Sequence, residues 1–248
     1  MFGGIQYQIL KKLSPAGPGH MDGSAYAGKS KAQVLIGQRF IDQFQGKTVI
    51  DFGCGEGHEA IELVRLGAGR VIGVDIREEI LAVARRNAQD AGVGGICEFT
   101  SRPDTKADVI VSLDAFEHFA DPAEILRIMA SVLQPNGEVI AVFGPTWYHP
   151  YGGHLFSVFP WAHLLFTEKA LIRWRSDFKS DGATRFSEVS GGLNQMTISR
   201  FERVVAASPF EVGELEAVPI RKLTSFHNSL TREFTTASVR CRLVKRRN

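Results

Sequence analysis

The sequence predicts an α/β protein with a doubly wound, mostly parallel sheet, and two features of residues 46–143 carry that expectation. Short apolar runs alternate with stretches of helical period, the pattern of repeated β-α units. The first run, Thr48-Val49-Ile50, ends in Asp51 and opens into Gly53-Cys54-Gly55-Glu56-Gly57. Sheets of this kind bind ligands at such carboxyl-end turns.

The other elements follow in order. The pattern predicts a helix over 59–66, a buried strand over 70–74 with Asp75 at its end, and a helix over 77–91. Glu78 and Glu79 stand in that helix's first turn, as its dipole prefers. Short strands are expected at 98–100 and 109–111. Asp121-Pro122-Ala123-Glu124 reads as a helix start, with an N-cap acid and proline at the first position. Pro135-Asn136-Gly137 then turns the chain into a fifth strand over 138–143. Beyond 195, Phe201, Val204 and Val205 form a helical stripe and 210–218 a sixth strand. Ala237, Val239, Cys241 and Leu243 alternate with polar residues as a last strand.

Two regions interrupt this rhythm. Residues 1–45 predict an N-terminal cap ahead of a main domain over 46–248. Within the cap, Phe2, Ile5, Ile9 and Leu13, with Lys11 and Lys12, suit a short amphipathic helix that packs on the domain or touches a membrane surface. Residues 14–28 are rich in Gly, Pro and Ser and predict no regular structure, and 31–44 reads as a helix able to lie over the ligand cleft. Residues 144–195 hold Trp147, Trp161 and Trp174 and three of the seven histidines. An irregular stretch of that length is uncommon unless functional, so it reads as a substrate lid. Its apolar run, 155–166, suits a lid helix, a homodimer face or a surface reaching lipid.

Composition narrows the function. Among 248 residues, 29 Lys and Arg against 27 Asp and Glu leave a net charge of +2, which argues against nucleic acid as a partner. The basic run Arg240, Arg242, Lys245, Arg246 and Arg247 reads as a solvated strand edge. Cys54, Cys97 and Cys241 lack zinc-like spacing, so reduced thiols and no metal are expected. No apolar run reaches the roughly 18 residues of a membrane span, and a cytoplasmic location follows as the expectation.

The glycine spacing separates two nucleotide ligands. A dinucleotide site uses G-x-G-x-x-G and sets a pyrophosphate on a helix N-terminus. Here the spacing is G-x-G-x-G directly after Asp51, whose charge would repel a pyrophosphate and suits a ligand with a positive amine and a thioether linkage. Asp75 can accept hydrogen bonds from both hydroxyls of a ribose.

Together, Val49 to Gly57 resembles motif I of the class I S-adenosylmethionine-dependent methyltransferases, and Val74-Asp75-Ile76 is similar to their second acidic motif. Ala107 to Asp114 resembles their fourth-strand motif, and Leu133-Gln134-Pro135-Asn136-Gly137-Glu138 the turn before strand five. The resemblance implies a Rossmann-like, seven-stranded sheet with its last strand antiparallel. It implies S-adenosylmethionine as cofactor and S-adenosylhomocysteine as product. By position, Asp51, Gly53, Cys54, Gly55 and Gly57 face the methionine part, Asp75 holds the ribose and Ile76 packs on the adenine. Arg102 or Ser101 lies at the adenine edge, where this sequence lacks the family's frequent acid, and Asp114 closes the cofactor set.

Phe116-Glu117-His118-Phe119 resembles the equivalent stretch of small-molecule N-methyltransferases and cyclopropane synthases. That implies contact of Glu117 and His118 with the acceptor or a bound anion. His149, after strand five, is a second candidate base. Phe116, Trp147, Tyr148, Tyr151 and His154 are candidates for the acceptor wall. The resulting expectation is methyl transfer to oxygen or nitrogen of a small-molecule or lipid-like acceptor. Its rivals are C-methylation or cyclopropanation of an unsaturated acceptor, and a non-catalytic S-adenosylmethionine-binding module.

Overall fold

The computed structural model describes residues 2–15, 17, 30–156, 158–189 and 191–246. The chain opens with α1 (Phe2–Leu13), α2 (Lys31–Ile36) and α3 (Gln38–Ile41), then enters β1 (Thr48–Phe52). Units of strand and helix follow: α4 (His58–Arg65), β2 (Arg70–Val74), α5 (Glu78–Asp90), β3 (Cys97–Thr100), β4 (Ala107–Leu113), α6 (Pro122–Val132) and β5 (Leu133–Phe143). Residues 144–195, the expected lid, hold α7 (Ala162–Leu165) and α8 (Glu168–Arg175). The chain closes with α9 (Ile198–Ala206), β6 (Phe210–Pro219), α10 (Arg232–Thr235) and β7 (Thr236–Lys245).

Among the described residues, seven strands form one sheet in the order β3-β2-β1-β4-β5-β7-β6. The first five are parallel, and β7 runs antiparallel to both its neighbours. The strand order reverses between β1 and β4, which opens a crevice at their carboxyl ends. Period-two alternation sends neighbours to opposite faces. Val49, Val109 and Val111 pack under α2, α4 and α5 with Phe44, Leu63 and Leu81. Ile50 and Ile110 face the other side with Met129 and Phe201, under α6 and α9. A third core lies beneath the lid, where Tyr7 and Leu10 of α1 join Phe156, Leu171, Trp174 and Phe186.

Four expectations change. The helix expected over 31–44 is broken at Gly37, whose φ of 84° ends α2 while its amide donates to the Gln33 carbonyl. The turn at Pro135-Asn136-Gly137 lies inside β5, as an irregularity between the pairs Ala107–Leu133 and Val109–Glu138. The run 155–166 is no single helix: Pro160 and Trp161, the latter at φ 63°, interrupt it, and Phe156 is buried while Leu165 is exposed. The basic run is not a solvated edge either, because β7 lies inside the sheet and β6 at its margin. Arg240 pairs with Glu216 and donates to the Leu35 carbonyl, Arg242 pairs with Glu138, and Lys245 donates to the Leu133 carbonyl. Arg247 and most of 14–28 lie outside the described residues.

The amphipathic α1 packs on the lid through Gln6, Tyr7 and Leu10 and leaves Ile5, Ile9 and Leu13 exposed. No described helix is long and apolar enough to cross a membrane.

Candidate cofactor and acceptor site

The glycine turn is shaped by the protein's own packing on two sides and left open on the third. Gly53 (φ 89°) lies where a Cβ would meet the Ala115 methyl at 2.9 Å. Gly57 (φ 81°) lies equally close to Phe99 and Ala84, at 2.8 to 3.0 Å. Gly55 (φ 50°) has nothing within 4 Å of that position and faces open space. The Gly53 and Cys54 amides donate to the Val74 carbonyl, at 2.8 and 3.0 Å, tying the turn to the end of β2. Cys54 is buried, and burial with Asp51 nearby pushes its thiol well up, so it is an inert filler here.

Asp51 is 2% exposed, and its buried Oδ2 has no hydrogen-bond partner among the described residues. Burial first, and the nearby Glu59 second, push its carboxyl up to about 8. Above it, Lys31 of α2 bridges Glu59 and Asp114, each at 3.1 Å. Asp114 takes φ 49° at the end of β4, and burial raises its carboxyl despite the lysine. At the end of β2, Asp75 accepts from the Gly55 amide (3.2 Å) and twice from the Arg77 guanidinium (3.0 and 2.9 Å). Burial alone would raise Asp75, but Arg77 outweighs it and holds the carboxyl below the usual range. Ile76 beside it is 87% exposed. Arg102 is exposed past β3, with its amide donating to Thr100 Oγ1 at 3.1 Å.

These residues fit S-adenosylmethionine. An orphaned buried carboxylate oxygen suits a positive amine, the open face of Gly55 lets a ligand approach the backbone, and an exposed isoleucine offers a flat ring an apolar surface. Lys31 and Arg77 were invisible to motif reading. Neither belongs to a glycine or acidic motif, and only the fold brings them to these acids.

The turn after β4 is the second half of the site. Ala115 and Phe119 lean on Gly53, and the far side of the turn is stitched to the lid's return segment. Asn194 donates its side-chain amide to the Phe116 and Phe119 carbonyls (2.6 and 2.8 Å) and its backbone amide to the Glu117 carbonyl (2.9 Å). His118 Nδ1 lies 2.8 Å from the Gly192 carbonyl. A carbonyl can only accept, so Nδ1 carries a proton, and in the neutral ring Nε2 is the nitrogen with the lone pair. Glu117 is buried, its Oε1 accepts from the Gly144 amide at 3.1 Å, and Oε2 has no partner among the described residues. Burial, with Asp114 adding to it, pushes this carboxyl up to about 8. The His154 ring stands 5.3 Å from that of His118. Burial, then the neighbouring His118, lowers its pKa to about 4.

Three sequence candidates leave the site. Phe116 is fully buried and stacks with Phe119, Phe143 and Phe201; it is core, not acceptor wall. Trp147 packs on His163 and Phe186 in the lid interior. His149 accepts at Nδ1 from the Tyr151 amide (2.9 Å), so its one lone pair is spent, and burial lowers its pKa to about 4. It is not a free base. Tyr148 stacks on Phe234 with centroids 5.1 Å apart, and Tyr151 is exposed.

Comparison with known proteins bears on the fold and on residues 43–143. Residues 43–143 match the family model described as a methyltransferase domain. Over those residues the chain is similar to a methyltransferase domain. It is 40% identical over 104 residues to the ribosomal protein L11 methyltransferase of Enterobacter sp. (strain 638), a match covering 40% of this chain and 34% of that protein. The chain thus spans about a third of the length of the curated relatives it matches. Magnesium protoporphyrin IX methyltransferase of Synechocystis PCC 6803, solved with bound SAH, aligns over 99% of this chain and 96% of its own (TM-score 0.52, 17% identity). An S-adenosylmethionine-dependent methyltransferase from Mesorhizobium loti aligns over 89% and 100% (TM-score 0.55, 19% identity). These two share the fold.

Proposed function

We propose that this chain transfers the methyl group of S-adenosylmethionine to an oxygen or nitrogen of a small-molecule acceptor. The observation that carries this reading is His118, whose Nδ1–H is fixed on Gly192 while Nε2 has no hydrogen-bond partner among the described residues, in a turn that leans on the glycine loop. The cofactor supplies a methyl carbon already activated by its sulfonium. The chain's part is to hold the nucleophile in line, worth up to roughly 7–11 kcal/mol, and to accept its proton, worth about 10²–10⁴-fold. Asp75 would take the ribose hydroxyls once Arg77 swings aside, Asp51 and Gly55 would face the methionine part, and Ile76 the adenine. Acceptor choice would rest on residues 144–196, beyond the segment shared with the family model. For that reason the name of the L11-methylating relative does not extend to the acceptor here.

Calorimetry and a transfer assay test the reading together. Wild type should bind S-adenosylmethionine and label a component of a host extract. Asp75→Ala should weaken cofactor binding at least tenfold. His118→Ala should slow transfer about 10²-fold or more with cofactor affinity unchanged. Wild-type transfer by the His118 variant would remove it as the base.

A further inference from the structure

A cavity of about 360 Å³ lies between the turn after β4 and the lid's return, lined by His118, Glu168, Arg185, Asn194, Gln195 and Arg200 among others. Its charge is unbalanced. Two guanidiniums stand against Glu168, whose Oε1 already accepts from the Phe186 amide at 2.5 Å. Arg185 is exposed, and no side-chain hydrogen bond or ion pair of it is found among the described residues. The neighbouring Glu188 carboxylate is held by the Thr184 amide and hydroxyl, at 2.8 and 2.7 Å, and is also drawn electrostatically to Arg185 without an ion pair between them. Arg200 spends one terminal nitrogen on the Asn194 carbonyl and keeps its others.

The rim of this cavity is held in an uncommon shape. Gly191, Gly192 and Gln195 all have positive φ, at 86°, 68° and 59°. A non-glycine residue held there is strained, and such strain clusters at ligand sites. Here the bonds from Asn194 and His118 fix the loop. His118 is the hinge of the arrangement. It lines the cavity and follows Asp114 in the turn after β4.

We propose that Arg185 and Arg200 seat an anionic group of the methyl acceptor, a carboxylate or a phosphate, and so deliver its nucleophile to His118. The inference rests on the methyl-transfer reading above. Planar guanidiniums grip such oxyanions through paired N–H donors. Binding energy gathered on a remote charge can hold a nucleophile where an in-line displacement needs it.

The test uses the full chain with inorganic phosphate and acetate as separate probes, against chloride at matched ionic strength. Binding is read from the His118 imidazole resonances, and S-adenosylmethionine affinity is measured on the same samples. Saturable binding of one or both anions is expected, with Kd raised tenfold or more in Arg185→Gln and cofactor affinity unchanged. Arg185→Lys should recover only part of the loss. The tighter probe identifies the group the acceptor carries. Failure of both anions to bind, or an Arg185→Gln protein that binds like wild type, would overturn the subsite while leaving methyl transfer standing. Anion binding without any cofactor binding would instead overturn the link to methyl transfer.

Discussion

Asp51 and Glu117 show how burial shapes this site residue by residue. Both carboxyls are pushed up to about 8, so near neutral pH the folded chain keeps two protons that the unfolded chain gives up near pH 4. Linkage then fixes the sign. The folded state binds more protons across that window, so stability is greatest at its acidic end and falls as pH rises toward 8. The melting temperature of the ligand-free protein should drop between pH 6 and 9, and Asp51→Asn should flatten part of that drop; a wild-type profile flat over this range would refute the assignment. A cationic amine beside Asp51 favours its charged form, so cofactor binding should release protons. Binding enthalpies at pH 7 that vary with the buffer's ionisation enthalpy would register them. That Asp51 and Asp75 stand at the ends of β1 and β2, with the glycines in the turn between, was legible because motif spacing follows the strand ends. Phe116 was misread, since a place in a motif does not say whether a ring points to cleft or core.

At the scale of elements, local chemistry was legible wherever it sufficed. Asp121 does cap α6, accepting from the Ala123 and Glu124 amides, and Thr197 caps α9. Continuous apolar runs gave β1, β2, β4 and the end of β5 because these are buried on both faces. The lid was not legible, because its shape comes from contacts between distant turns and not from a period. Asn194 is the clearest case, an ordinary polar residue in sequence that holds two carbonyls of a turn 75 and 78 residues away. Asn194→Ala would leave the Phe116 and Phe119 carbonyls short of that donor, an expected loss of about 1–3 kcal/mol. It should also release His118 from its fixed pose. Thermal melts should fall while cofactor affinity holds and methyl transfer slows. Unchanged transfer would show that the stitching supports only the fold.

At the scale of the whole molecule, three cores divide the labour. Two cover the faces of the sheet and fix the cofactor crevice, and the third joins α1 to the lid. The joint is specific as well as apolar: Gln6 accepts from Thr167, Tyr7 donates to Asp177, and Trp174 donates to the Ser14 carbonyl. The sequence shows α1 to be amphipathic, but it cannot name a partner about 160 residues away. The N-terminal helix therefore packs with residues 144–195 and apart from the two cores that flank the sheet, so the two parts can be perturbed separately. Leu10 is fully buried in the third core, and Leu10→Ala should cost about 2–5 kcal/mol. If the lid opens as its own unit, hydrogen exchange should quicken in α1 and α8 while β1, β2 and β4 keep their protection and cofactor affinity is retained. Equal loss of protection in sheet and lid would mean that one cooperative unit carries both halves of the site.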